Sequence, residues 1–157
     1  MNTLIAFASK YGCTEKCAMM IKEKVIGQVD LFDLQKGKDV DLGGYDQVII
    51  GGSVYMGKIR KEVTAFCTVN LEELKEKRIG LYYCGMAEGE AIETELIANF
   101  PPELLKIARA KEYLGGEFHM DKMNMLEKMV IKKVAKITEN TSNILEDKIS
   151  EFASSMN

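Results

Sequence analysis

Short apolar runs alternate with stretches of helical spacing along most of the chain. Thr3-Leu4-Ile5-Ala6-Phe7-Ala8 is a continuous apolar run, and Cys17, Ile21 and Val25 then recur every four residues, as on one face of a helix. Between Gln28 and Leu34, Val29 and Leu31 alternate with their neighbours in a strand pattern. Gln47-Val48-Ile49-Ile50 is again continuous, as expected for a central strand covered on both faces. Ile59 to Asn70 reads as a helix with Val63, Phe66 and Cys67 inward, and Lys77 to Cys84 as a strand. A helix from about Glu90 to Asn99 stops at Pro101-Pro102, and a short helical turn continues to Ile107. Ala110 to Phe118 supplies a fifth strand, and Asn143 to Ser154 a terminal helix through Ile144, Leu145, Ile149 and Phe152. Strands alternating with helices predict an α/β fold, a doubly wound five-stranded parallel sheet in one domain over residues 1–157. Such a sheet takes its ligand beyond the carboxyl ends of the strands, where the strand order reverses.

Three loops fall at those ends, 9–14, 52–58 and 84–89, and all three carry Gly or hydroxyl residues. The first reads Ser9-Lys10-Tyr11-Gly12-Cys13-Thr14 and leads into a helix. A strand, a tight hydroxyl-bearing turn and a helix N-terminus present free N–H groups and a positive dipole end, as an anion cradle does. The hexapeptide alone is equally compatible with an ordinary strand–helix turn. In the second loop, Gly51-Gly52-Ser53 marks a point where the backbone can turn sharply or approach a ligand closely. The third is Cys84-Gly85-Met86-Ala87-Glu88-Gly89. A packed core has no need of small residues at one end of three strands, which favours the cradle.

Residues 119–142 are too many for an ordinary connection. Met123, Leu126, Val130, Val134 and Ile137 follow helical spacing, with Lys122, Lys128, Lys132, Lys133 and Lys136 on the polar side. From His119 to Thr138 five lysines face only Asp121 and Glu127. The simplest reading is an extra amphipathic helix packed on the domain before the last helix. The sharper one is a docking surface for a redox partner, a quinone or an anionic membrane, with adaptable side chains at Met120, Met123, Met125 and Met129.

Composition narrows the classes. With 46% hydrophobic and 29% charged residues, the 157-residue chain is neither disordered nor membrane-spanning in character. A net charge of −3 and the absence of a Lys/Arg block argue against nucleic acid. The six-residue apolar run at the start leads straight into the first loop and is no signal peptide. The four cysteines, at 13, 17, 67 and 84, follow neither Cys-x-x-Cys nor disulfide-framework spacing, which reads as free thiols in the cytoplasm.

The Ser9-x-x-Gly12-x-Thr14 turn resembles the phosphate loop of the flavodoxin family, and Gly51-Gly52-Ser53-Val54-Tyr55-Met56-Gly57 resembles the loop beside the flavin ring. The likeness extends through the order of elements, and implies strand order 2-1-3-4-5 and FMN as cofactor. Flavodoxin is itself the type case of the switch-point rule, so FMN enters here through the resemblance and not through loop spacing. The long insertion, entered through Gly115-Gly116-Glu117-Phe118, is similar to the layout of flavodoxin-like menaquinone-dependent protoporphyrinogen oxidases.

The resemblance implies that the hydroxyls of Ser9 and Thr14, with N–H groups from Lys10, Tyr11, Gly12, Cys13 and Thr14, hold the FMN phosphate. Lys10 need not be a ligand, and the backbone of Cys13 matters more than its sulfur. Ser53, Val54, Tyr55, Met56, Gly57 and Lys58 would form one ring loop, and Cys84, Gly85, Met86, Ala87 and Gly89 the other. Flavodoxins commonly offer an aromatic from each; here the first offers Tyr55 and the second has none after Tyr83, leaving one face covered by Met or open. Gly57 would let its peptide reorient toward the flavin. Lys58, where many flavodoxins have an acid, would raise the potential of the more reduced couple.

Two functions follow from the resemblance. The leading one is an FMN-binding electron carrier between a reductase and a partner enzyme. The alternative is an FMN-dependent oxidoreductase of the protoporphyrinogen oxidase type with a quinone acceptor, against which the only histidine, His119, offers no convincing acid–base group. A third reading keeps the fold without flavin.

Overall fold

The computed structural model describes residues 1–37, 39–118, 125–129 and 141–157. Strand β1 (Asn2–Ala8) leads to helix α1 (Cys13–Lys24), then β2 (Gln28–Asp33), β3 (Gln47–Tyr55) and the short β4 (Lys58–Ile59). Helices α2 (Lys61–Val69) and α3 (Leu71–Leu74) precede β5 (Arg78–Cys84); α4 (Ala91–Asn99) and α5 (Pro102–Ile107) precede β6 (Ala110–Tyr113). Strands β7 (Gly115–Phe118) and β8 (Thr141–Ile144) and helix α6 (Glu146–Met156) follow. The sheet runs β2-β1-β3-β5-β6 with every neighbouring pair parallel. Counted among the five parallel strands, that is the expected order 2-1-3-4-5.

Continuous apolar strands arise because both faces of the sheet are covered. Side chains alternate across a strand, so Leu4, Ala6 and Ala8 of β1 join Val48, Ile50, Ile79 and Leu81 in one core layer, beneath Val63, Phe66, Leu96 and Leu104. Ile5 and Phe7 point the other way, with Ile49 and Tyr82, into a layer closed by Cys17 and Ile21 of α1 and by Ile149 and Phe152 of α6.

Three expectations change. First, β3 does not end at the glycines but runs on to Tyr55. Gly51 and Gly52 are required by packing rather than by a ligand. A Cβ on Gly51 would stand 2.0 Å from Cζ of Tyr82, and one on Gly52 2.6 Å from Cγ1 of Ile59. Second, the fifth strand breaks after Tyr113. Gly115, at φ 88, takes a left-handed conformation and turns the chain out of the sheet, and β7 pairs antiparallel with β8 instead. Third, Asn143 and Ile144 therefore belong to β8, and the terminal helix begins at Glu146, with Glu146 and Asp147 suited to its positive end.

Within the expected helix over 119–142, residues 125–129 are helical, with Met125, Leu126 and Met129 exposed. Leu126 thus does not face a core, while Ser142 lies in β8. Lys128 lies in that helical segment and is half-buried, while His119, Met120, Lys122, Met123, Val130, Lys132, Lys133, Val134, Lys136 and Ile137 lie outside the described residues. Among the described residues no helix is long and apolar enough to cross a membrane.

Candidate functional site

The loop after β1 is held by its own hydroxyls. Gly12 has φ 99, and a Cβ there would meet nothing within 4 Å, so backbone conformation and not crowding calls for glycine. Its N–H donates to Oγ of Ser9 at 2.8 Å, and the Lys10 N–H donates to Oγ of Ser53 at 3.1 Å. The buried Thr14 hydroxyl lies 2.7 Å from Oγ of Ser53, tying the loop to β3. The side chains of Ser9, Thr14 and Ser53 thus shape the turn. What the turn presents is backbone: Cys13, Thr14 and Glu15 occupy the first turn of α1, where N–H groups have no carbonyl of their own helix to meet. Beside them the Tyr11 hydroxyl is buried and has no hydrogen-bond partner among the described residues.

A cleft opens at the carboxyl ends of β1, β3 and β5. It draws Lys10, Tyr11 and Cys13 from the first loop, Ser53, Val54 and Tyr55 from the second, and Cys84 and Gly85 from the third. Met56, Gly57, Lys58, Met86, Ala87 and Gly89 do not line it. Met56 (φ 53) and Gly57 (φ 81) form the tip of a two-residue hairpin in which Tyr55 pairs with Lys58 and Val54 with Ile59. Met56 is 73% exposed there. Ala87 is buried, and Met86 is half-buried.

The cation at the ring loop is Lys10. Its Nζ lies 3.8 Å from the centroid of the Tyr55 ring and 3.2 Å from Oε2 of Glu127. Lys58 is exposed on β4, Lys61 is also exposed, and Nε of Arg60 lies 3.5 Å from Oε2 of Glu62.

Sequence reasoning missed Asn99 and Glu117. Asn99, at the end of α4, donates from Nδ2 to the Gly57 carbonyl at 3.1 Å and accepts the Ile59 N–H at 2.9 Å. Any reorientation of the Gly57 peptide has to release that bond. Glu117 is a buried carboxylate on the cleft wall, met by Nζ of Lys16 at 2.6 Å and by the Ser142 hydroxyl at 3.0 Å. Neither belongs to a local motif; both act across long sequence separations. The third loop is pinned similarly: the Tyr113 hydroxyl donates to the Gly85 carbonyl at 2.7 Å, and the Gly85 N–H to the Gly115 carbonyl at 3.0 Å.

Under the loop, the thiols of Cys13, Cys17 and Cys84 converge. Hydrogen bonding from Cys17 and Cys84 draws the Cys13 thiol down to about 4, and the same sharing with burial pushes the other two up.

A family model described as "Flavodoxin domain" matches residues 4–144. Oxidised flavodoxin 1 from Bacillus cereus superposes with a TM-score of 0.62 at 14% identity, over 99% of this chain and 96% of that one. Flavodoxin 2 from the same organism gives 0.58 at 20% identity, over 99% and 97%. A Fusobacterium nucleatum flavodoxin bound to flavin mononucleotide gives 0.55 at 15%, over 99% and 96%. No curated protein matches the chain in sequence. The narrower likeness to the protoporphyrinogen oxidase layout finds no support among these similarities, which run to flavodoxins.

Proposed function

The chain belongs to the flavodoxin domain family, and on that premise we propose that it binds FMN across the three loops and carries electrons between a reductase and a partner enzyme. The observation that carries this reading is the convergence of the three loops on one cleft, beside the N–H groups that open α1. The residues present suit the group. First-turn N–H groups and the helix dipole favour a phosphate dianion without a salt bridge, and the unpartnered Tyr11 hydroxyl is a further polar atom for a ligand to satisfy.

Bound FMN supplies reversible one- and two-electron chemistry. The protein's part is to bind, orient and tune. Tyr55 offers an aromatic surface on the cleft wall, and Lys10, paired with Glu127, lies against it. Asn99 holds the Gly57 carbonyl and so sets what any movement of that peptide costs. Met56 at the tip of the hairpin, and Met125, Leu126 and Met129 on the segment tied to Lys10 through Glu127, are exposed apolar side chains that would meet a redox partner. Free, buried thiols at all four cysteines fit a reducing, cytoplasmic setting.

Anaerobic photoreduction of the purified protein tests this. The carrier reading expects yellow protein that releases FMN on denaturation and takes up electrons in two separated one-electron steps. Colourless protein that fails to take up FMN, or a single two-electron step, counts against it.

A further inference from the structure

Cys13 and Cys17 stand one turn apart on α1, and Cys84 ends β5 against them. The three Sγ atoms lie within 4.8 Å of one another, with Cys17 and Cys84 at 3.6 Å, and all three residues are buried. Ordinary apolar packing does not call for three sulfurs at one point. The fourth cysteine, Cys67, lies in the other core layer, where burial alone pushes its thiol up to about 12. In the cluster the polar balance is different. Cys13 opens α1, and its sulfur meets those of Cys17 and Cys84.

The spacing matches a small coordination sphere. Sulfurs bound at roughly 2.3 Å to a central ion in a trigonal plane stand roughly 4 Å apart. Structural zinc takes four ligands, and among the described residues no carboxylate or imidazole joins these three thiols. Thiolate donors in low number select a soft ion. Access exists, since Cys13 and Cys84 line the cleft.

We propose that Cys13, Cys17 and Cys84 form a three-coordinate thiolate site for a soft, closed-shell cation, Cu(I). Binding is ligand exchange: three Cu–S bonds form, the ion sheds its previous ligands, and the thiol protons displaced pass to solvent. No electron changes hands. The site lies beneath the cleft read as an FMN site and shares Cys13 and Cys84 with its wall, but its test reads metal retention and sulfur coordination and needs no flavin chemistry.

Purified, fully reduced protein, with whatever flavin it carries, is titrated with Cu(I) under anaerobic conditions against a coloured Cu(I) chelator. One Cu(I) per chain is expected to be retained, and X-ray absorption of that sample is expected to show three sulfur neighbours. Cys17→Ala and Cys84→Ala should each weaken retention by more than about 100-fold, because loss of a ligand exceeds the effect of losing its supporting partner. Cys67→Ala should leave retention unchanged. Failure to retain Cu(I), a shell containing nitrogen or oxygen, or full retention by Cys17→Ala overturns the proposal. So does displacement of Cu(I) by equimolar Zn2+. The absorption spectrum of the unmodified protein decides the matter even if a variant fails to fold.

Discussion

Gly51→Ala is expected to destabilise the protein by about 3 kcal/mol, one methyl group notwithstanding. Gly51 sits directly opposite Tyr82 in the β3–β5 ladder, and the Tyr82 ring lies across the space where a Cβ would stand, 2.0 Å from Cζ and 2.2 Å from Cε1. The ring has no easy retreat. It is fully buried, meets Phe152 edge to face at 5.9 Å, and donates its hydroxyl to the Thr14 carbonyl at 2.9 Å. Overpacking of this kind costs about 1–3 kcal/mol, and losing the buried hydroxyl's bond adds about 1 kcal/mol. For a chain of this size the midpoint of thermal unfolding should drop by about 10 °C. Gly44→Ala is the comparison, since a Cβ at Gly44 meets nothing within 4 Å. Chemical denaturation of the two variants separates the outcomes: equal stability would show that Tyr82 yields freely and that Gly51 is not set by packing.

Gly12→Val is expected to weaken FMN binding by about tenfold or more while leaving most of the fold intact. The added side chain meets nothing, so the penalty is conformational. A left-handed φ costs an ordinary residue about 1–2 kcal/mol, and β-branching tightens the restriction. Relaxing φ from 99 would swing the Gly12 N–H away from Oγ of Ser9 and disturb the first-turn N–H groups offered to the phosphate. Gly12→Asn should lose less, because Asn tolerates the left-handed region. Fluorescence titration with FMN gives the order glycine, then asparagine, then valine. Equal affinities across the three would remove the turn from the binding site.

Much of this architecture is written in local patterns. The apolar runs at β1, β3 and β5 are continuous because both faces of those strands are buried, and the strand–turn–helix at Ser9 to Thr14 declares itself within six residues. What the local pattern does not carry depends on distant partners. Gly51 and Gly52 look like a flexible loop, but their smallness answers Tyr82 and Ile59, and only Ile59 is near in sequence. The break after Tyr113 was hidden because the strand that draws β7 away, β8, lies beyond the insertion. Lys58 drew attention by its place in a family pattern, yet the cation on Tyr55 is Lys10, from another loop. Asn99 and Glu117 carried no signal, since an Asn at a helix end and a Glu in a Gly-rich entry are common. The meeting of Cys13, Cys17 and Cys84 matches no sequence spacing motif, because Cys84 joins the other two only through the sheet.

The central claim is that the turn from Ser9 to Thr14 holds a phosphate as part of FMN. Titration of flavin-free protein with FMN and, separately, with riboflavin tests it most directly. Several charge-assisted N–H bonds to the phosphate, each worth about 1.5–3 kcal/mol, predict one FMN per chain, bound at least about 100-fold more tightly than riboflavin. Equal affinity for the two flavins, or binding of neither, would contradict it.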